Sequence, residues 1–314
     1  MPAIASPERI TGRGDRVFHG VSLAASITII VVLAGVAFFL TLQAVPGITA
    51  APGKASILGS SGFWPYVLPL VFGTVWTASI ALVIATPLAI ALALFMTQYV
   101  PRSLGRGLGY LIDLLAAVPS VVYGLWGITF LAGTLTPVYR WLSEYAGWLW
   151  IFDTGPAGTD TALSVTGRTV LTAAIVLAIM VLPIMTAVCR EVFDRVSRHT
   201  KEAALALGAT RWEMIRLAVL PHGRSGIIAA TMLGLGRALG ETMAVAMVLS
   251  ATGVVSFRLL SSSNPTTIPA SIALGIKESS GLNVNVLVAS GLVLFVITLL
   301  VNLAARWVIN REAR

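Results

Sequence analysis

A single cysteine, Cys189, excludes any disulfide within this chain, and three histidines leave little for a metal. His19, His199 and His222 stand far apart beside basic residues without the paired spacing of metal ligands, so no metal site is assigned. Charge is scarce as well: Asp, Glu, Lys and Arg make up 11% of the 314 residues against about 25% in soluble domains, while 57% are hydrophobic. An ordinary soluble domain is thereby excluded. Carboxylates are the scarcer sign, 13 against 21 lysines and arginines. No carboxylate pair, nucleophile with its base, or metal cluster falls within the apolar runs, which argues against a membrane enzyme.

What is abundant is apolar length. Stretches near Val21 to Leu42, Val67 to Met96, Leu108 to Leu131, Thr169 to Cys189, Gly226 to Ser250 and Val284 to Val308 can each cross a hydrocarbon core of about 30 Å. Backbone polar groups in such a core must be satisfied within each span, so the expected fold is an all-α integral membrane protein of six transmembrane helices. The first stretch would be about 33 Å long as a helix, longer than the core of a cleaved signal peptide, and reads as a retained span.

The net charge of +8 reports orientation, not nucleic-acid binding. With the N-terminus in the cytosol, Arg9, Arg13 and Arg16, then Arg102 and Arg106, then the basic run from Arg190 to Arg224, and last Arg306, Arg311 and Arg314 all fall on the cytosolic side. The outer segments hold only Lys54, Arg140, Arg168, Arg258 and Lys277. Both termini are therefore expected to be cytosolic, with residues 1–18 a mobile tail ahead of a transmembrane domain over 19–314. Pro46 to Ser61 reads as an exposed outer loop. The stretch 136–160 carries Tyr139, Trp141, Tyr145, Trp148 and Trp150 among charges and suits a helix lying in the outer membrane interface. Thr86-Pro87 and Pro119 should kink the second and third spans and open space between helices. Two glycine patterns mimic nucleotide sites without meeting their requirements. Gly47 to Lys54 has five residues between its glycines where a phosphate loop has four, and Gly234-Leu235-Gly236 lacks a third glycine and lies inside a span.

Residues 190–224 form the most informative segment. Thr200 is placed to cap a short helix with Glu202 in its first turn, and Gly208 to supply a left-handed stop. Thr210 and Glu213 have the spacing of a capping box that opens a second helix. Ala203, Ala204 and Leu207 share a face whose small residues admit close approach of a partner. The run Glu202-Ala203-Ala204, three residues, Gly208, nine residues, then Ala218-Val219-Leu220-Pro221 resembles the cytosolic loop of bacterial ABC importer permeases, with alanine where that pattern has isoleucine. The resemblance implies the ABC importer permease fold and a hairpin that docks on an ATPase through Glu202, Ala203, Ala204, Leu207, Gly208, Leu220 and Pro221. ATP and Mg would then reside on that partner, and this chain would bind no cofactor.

The fifth span carries charge. Arg237 lies about 20 Å along a helix from Arg224, too deep to snorkel easily, and a charge in a span costs about 2.5–3.5 kcal/mol. A guanidinium matches phosphate oxygens with two parallel hydrogen bonds, and Glu241, four residues on and on the same helical face, could neutralise it between anions. The plainer reading is an ion pair that locks two helices together. Gly236-x-x-x-Gly240 would let a neighbouring helix pack closely. Ser120 and Tyr123, one turn apart beyond Pro119, could present hydroxyls to an oxyanion, while Asp113 could pair with a nearby arginine.

Gly73-Thr74 through Pro87, Ala117 to Gly124, and Leu235 to Val245 together resemble the C-type permease subunit of the bacterial phosphate-specific transport system. With the hairpin, the resemblance spans residues 67 to 250. It implies a transport subunit, not an enzyme, that passes inorganic phosphate across the bacterial cytoplasmic membrane, with Arg237, Glu241, Thr242, Ser120 and Tyr123 as candidates for the path. The partners it implies are a second, A-type permease in a heterodimer, a dimer of ATP-binding subunits, an external phosphate-binding protein and membrane lipid, with no nucleic acid. Another oxyanion such as sulfate or molybdate stays open as the cargo. So does an ion-coupled secondary transporter, although the internal repeats usual there are not visible.

Overall fold

The computed structural model describes residues 13–156, 159, 161–250 and 252–312. Helix α1 (Arg13–Ile48) stands beside a bundle that includes α2 (Phe63–Leu94), α3 (Arg102–Ala116), α4 (Ser120–Trp126), α5 (Ala132–Tyr145) and α6 (Val170–Asp194). The short helices α7 (Arg198–Ala206) and α8 (Arg211–Met214) build the hairpin. Then follow α9 (Leu220–Gly240), α10 (Met243–Val248), α11 (Ile268–Gly275) and α12 (Leu282–Glu312), the last pairing with α1.

At the centre is α6, with α2 on one side and α9 on the other. Both neighbours reach it through small residues. On α2, Ala78, Ala81, Ala85, Ala89 and Ala93 form a fully buried stripe at helical spacing. On α9, Gly226 sits against Val192, and a Cβ at Gly234 would come 2.6 Å from Met185 Sδ. Lipid tails are as apolar as leucine, so helices associate here through such close van der Waals contact. The Gly236 and Gly240 pair expected to serve this purpose does not, because a Cβ at either position would meet nothing within 4 Å.

Five described helices are long and apolar enough to cross a membrane: Val17–Ile48, Phe63–Tyr99, Ser120–Tyr145, Val170–Asp194 and Leu282–Trp307. The expected sixth span, 226 to 250, is broken after Gly240, and α9 itself is diluted by glycines, His222, Arg224 and Arg237. It nevertheless belongs to an unbroken helix that starts at Arg211 and runs through α8, a π-turn at Ile215–Val219 and α9. That rod is about 45 Å long. The widened turn ends two residues before Pro221, whose ring would crowd a regular turn and whose missing N–H leaves a carbonyl unpaired.

The third span also lies elsewhere than expected. Proline disfavours helix at the residue before it, and Pro119 with Val118 ends the helical run that began at Arg102. The crossing helix is Ser120–Tyr145, made of α4, a π-turn at Gly127–Leu131 and α5. It is about 39 Å long, longer than the core it crosses, so its end emerges where Arg140 and Glu144 can meet water. The stretch read as an interfacial helix therefore begins as the end of this span. Within it Tyr139 is buried and shares a 2.7 Å hydrogen bond with Thr172 Oγ1, whereas Trp141, Tyr145, Trp148 and Trp150 are exposed. Asp160 lies outside the described residues, as do positions 1–12 of the expected tail, and residues 13–18 are already part of α1.

The connecting segments 146–169 and 249–267, expected on the outer side, cross-brace each other. Ser164 N–H donates to Leu260 O (3.0 Å), and Leu259 N–H donates to Ile151 O (2.8 Å). Asn264, fully buried, accepts from Val170 N–H (3.2 Å) and donates to Arg168 O (2.9 Å).

Two glycines give opposite expectations for stability. A Cβ at Gly47 would lie 2.5 Å from the backbone oxygen of Asn285 in α12, so Gly47→Ala should cost about 1–3 kcal/mol through forced separation of α1 and α12. Gly236→Ala meets open space and gains up to about 1 kcal/mol of helix propensity. Thermal unfolding of the detergent-solubilised chain should show a lower Tm for the first and an equal or higher Tm for the second.

Candidate functional site

The break after Gly240 organises the membrane part of the site. Glu241 has extended backbone (φ −69°, ψ 127°), and α10 restarts at Met243. Glu241 is therefore not one turn above Arg237 on the same face, and no ion pair joins the two. Its buried carboxylate accepts instead from the N–H of Ala244 (3.1 Å), at the start of α10. At the other end of α10, Arg168 Nη2 donates to Met247 O (3.3 Å) and Leu249 O (3.1 Å). An acid at the N-terminus and a base at the C-terminus is the arrangement that the helix dipole favours. Thr242 Oγ1 donates to Gly240 O (3.2 Å), satisfying a carbonyl that the break sets free.

Arg237, in the last turn of α9, lines a cavity of about 870 Å³ between α6, α9 and α12. Its Nε is buried without a hydrogen-bond partner. Among the described residues the other polar side chains of the lining are Asn302 and Arg306 of α12, with no carboxylate. Since α12 runs antiparallel to α9, Arg306 lies toward the hairpin end of this space.

Tyr123 is within electrostatic range of Arg237. Its one O–H donates to Leu115 O (2.9 Å), a carbonyl at the end of α3 that also accepts from Val118 N–H (3.3 Å), so that proton is committed and only lone pairs remain for other partners. The α4 helix meets the break directly: a Cβ at Gly124 would come 2.8 Å from Ala244 Cα. Tyr123, Arg237, Glu241 and Thr242 are thus brought together, while Ser120 opens α4 three residues earlier and its hydroxyl has no hydrogen-bond partner among the described residues. Asp113 does pair with an arginine, Arg190, at 3.7 Å. Sequence reasoning passed over Asn302 and Arg306. Asn302, an amide inside the last apolar run, was the available signal, and Arg306 serves there only for orientation.

The hairpin keeps its expected outline with two changes. Helix α7 begins after Ser197, without a side-chain cap bond, so Thr200 lies inside it and Glu202 in its second turn. Arg198 and His199 tolerate helix, which lets it start earlier than the capping reading placed it. Ala204 turns inward against the core, whereas Ala203 and Leu207 face out, Leu207 with 89% of its surface exposed. Gly208 has φ +87°, the left-handed value. The capping box is present: Glu213 N–H donates to Thr210 Oγ1 (3.3 Å), and Thr210 N–H donates to Glu213 Oε2 (2.7 Å). Leu220 is half-buried and Pro221 exposed. Trp212 and Leu217 add exposed apolar surface that the motif did not point to.

An all-helical membrane bundle with a broken span, a cationic cavity and a helix-turn-helix between spans defines a transporter permease. Residues 85–314 match the family described as binding-protein-dependent transport system inner membrane component, and the chain belongs to that family. It is 42% identical over 316 residues to the phosphate transport system permease protein PstC 2 of Mycobacterium tuberculosis, covering 97% of this chain and 95% of that one. It is 38% identical over 326 residues to the phosphate transport system permease protein PstC of Mesorhizobium japonicum, covering 99% and 96%. Among solved structures, a bacterial ABC transporter involved in the import of the acidic polysaccharide alginate matches with a TM-score of 0.61 over 96% of this chain and 98% of that one. At 16% identity, what the two share is the fold.

Two outcomes test this geometry. Glu241→Ala should cost about 0.5–2 kcal/mol by uncapping α10, while Glu241→Gln keeps an acceptor oxygen and most of that stability, as read by thermal unfolding. In the hairpin, the backbone and then the side-chain hydrogen bond of Thr210 hold the Glu213 carboxyl below its ordinary value of 4.5. The cap is therefore intact above that value and lost as pH falls through the lower folded value. Hydrogen-exchange protection at Arg211–Met214, corrected for intrinsic rates, should fall on that acid side in the wild type, and Glu213→Gln, which keeps an acceptor oxygen but does not titrate, should remove the transition.

Proposed function

We propose that this chain forms one half of the membrane channel of an inorganic phosphate importer, driven by ATP hydrolysed on separate subunits. The observation that carries this is Arg237, a guanidinium inside a span with an unpartnered Nε, no carboxylate beside it among the described residues, and a cavity before it. Its insertion cost of about 2.5–3.5 kcal/mol calls for a partner, and Glu241 is committed to α10. A phosphate dianion would supply that partner through charge-assisted bonds, with Asn302 and Arg306 next along the cavity. The names of the 42% and 38% identical relatives support phosphate as the cargo.

In this reading an external binding protein delivers phosphate, and a second, A-type permease completes the channel beside this one. A dimer of ATP-binding subunits docks on the hairpin through Glu202, Ala203, Leu207 and Gly208, with the exposed Trp212 and Leu217 beside them. Closure of the ATPases moves the hairpin. Because one helix runs from Arg211 to Gly240, a displacement that reaches Trp212 and Leu217 passes on to Arg237 without crossing a further loop. ATP and Mg stay on the partner.

Labelled phosphate uptake, at equal abundance in the membrane, tests both ends. Loss of one charge-assisted contact, about 1.5–3 kcal/mol, should make Arg237→Gln about tenfold to a hundredfold slower. Gly208→Asp, which forces a side chain into a left-handed turn, should abolish coupling. Excess sulfate or molybdate should leave wild-type uptake unchanged. Inhibition by either would reassign the cargo, and unchanged uptake by Arg237→Gln would reduce that arginine to a structural part.

A further inference from the structure

A second cavity, about 760 Å³, opens between α3, the end of α6 and hairpin helix α7, and shares no lining residue with the Arg237 cavity. Its charged lining is Arg106 and Asp113 of α3, Arg190 and Asp194 of α6, and Arg198 and Lys201 of α7. Cations from three elements thus converge on one concavity, two more than the carboxylates that face it. Asp113 holds Arg190 only loosely, at 3.7 Å. Gly109 of α3 presents no side chain, and the Arg190 guanidinium lies directly against it.

Among the described residues no salt bridge joins either hairpin cation to a carboxylate. Lys201 Nζ donates only to Phe193 O, at 3.5 Å, and Arg198 makes no ion pair. Burial pushes the Lys201 ammonium below its ordinary value, with Asp194 pulling it back and Arg198 pressing it further down. On the outside of α3, Leu104, Leu111 and Leu114 are exposed on the same helix that carries Arg106. An amphipathic helix of this kind lies in the interface plane, and basic pockets at that level bind phosphate headgroups.

We propose that this cavity is a cytosolic binding site for a phosphate group, either an anionic lipid headgroup or free inorganic phosphate, which ties the docking hairpin to α3. Occupied, the site would join Arg198 and Lys201 to Arg106 and Arg190 and restrain the hairpin on which the ATPases are proposed to act. It takes its cytosolic orientation from the positive-inside pattern and does not depend on what Arg237 binds.

The test uses the full chain carrying Arg237→Gln, so that the membrane cavity does not contribute. In one arm, the protein in phosphatidylcholine nanodiscs is dialysed against radiolabelled orthophosphate. In the other, native mass spectrometry counts phosphatidylglycerol retained from membranes that contain it. One ligand should bind, and the arm in which it does identifies the source. Arg198→Gln combined with Lys201→Gln should weaken that binding about tenfold or more, while the charge-preserving Arg198→Lys with Lys201→Arg retains it. If the double glutamine variant does not fold, as judged by size exclusion, Lys201→Gln alone is the reading variant. Absence of binding in both arms, or binding equal in the glutamine variant, overturns the site. Because the arms already lack Arg237, a failed uptake test and a failed binding test are separate results.

Discussion

A break in a helix inside a membrane exposes N–H and C=O groups that no water can satisfy, and here protein side chains meet that demand at both ends of α10. Glu241 takes the N–H of Ala244, and Arg168 supplies the carbonyls of Met247 and Leu249. Much of the site depends on this arrangement. With Glu241 engaged at α10, Arg237 is left as a cation at the end of α9 with a cavity before it. Had α9 simply continued, Glu241 would have stood one turn above Arg237, where the two could neutralise each other. The outer segments matter for the same reason: Asn264 holds the Arg168 backbone, so the bracing that satisfies α10 extends into the folded loops above it.

The second organising feature is continuity. The helix that starts at the Thr210 capping box does not end with the hairpin but runs through a π-turn into α9 and reaches Gly240. Its small residues Gly223, Gly226 and Gly234 keep it close against α6. A displacement applied at the hairpin therefore acts on a rod seated on the central helix of the bundle. In the proposed transport cycle the exposed Trp212 and Leu217 at the edge of the docking surface and the anion-holding arginine belong to one mechanical element, which α7 joins across the Gly208 turn. The amphipathic α3, with Arg106 lining the hairpin cavity, faces hairpin helix α7 across that cavity.

The sequence showed what local chemistry determines. Apolar length announced a helical membrane protein, the Thr210 and Glu213 spacing announced a cap, and Gly208 announced a left-handed turn. Where contacts distant in sequence decide, it misled. Counting apolar residues from Leu108 to Leu131 ran across Pro119 and merged an amphipathic helix with a crossing one. The four-residue spacing of Arg237 and Glu241 assumed an unbroken helix, whereas Ala244 captures the carboxylate. Gly236 and Gly240 suggested a packing seam, but the seam is built from Gly223, Gly226 and Gly234, whose role depends on the position of α6. Asn302 and Arg306 were visible as letters, yet only the antiparallel pairing of α12 with α9 places them in the Arg237 cavity.

The central claim is that an anion passes through the cavity lined by Arg237 and Asn302, and the scarcity of cysteine makes it directly testable. Cys189 is buried, so Asn302→Cys would place one accessible thiol in that lining. The measurement is its rate of modification by a water-soluble thiol reagent in inside-out vesicles, with and without saturating phosphate. A path through this cavity predicts ready modification that phosphate slows. A thiol that is inert, or that reacts at the same rate whether phosphate is present or not, would contradict it.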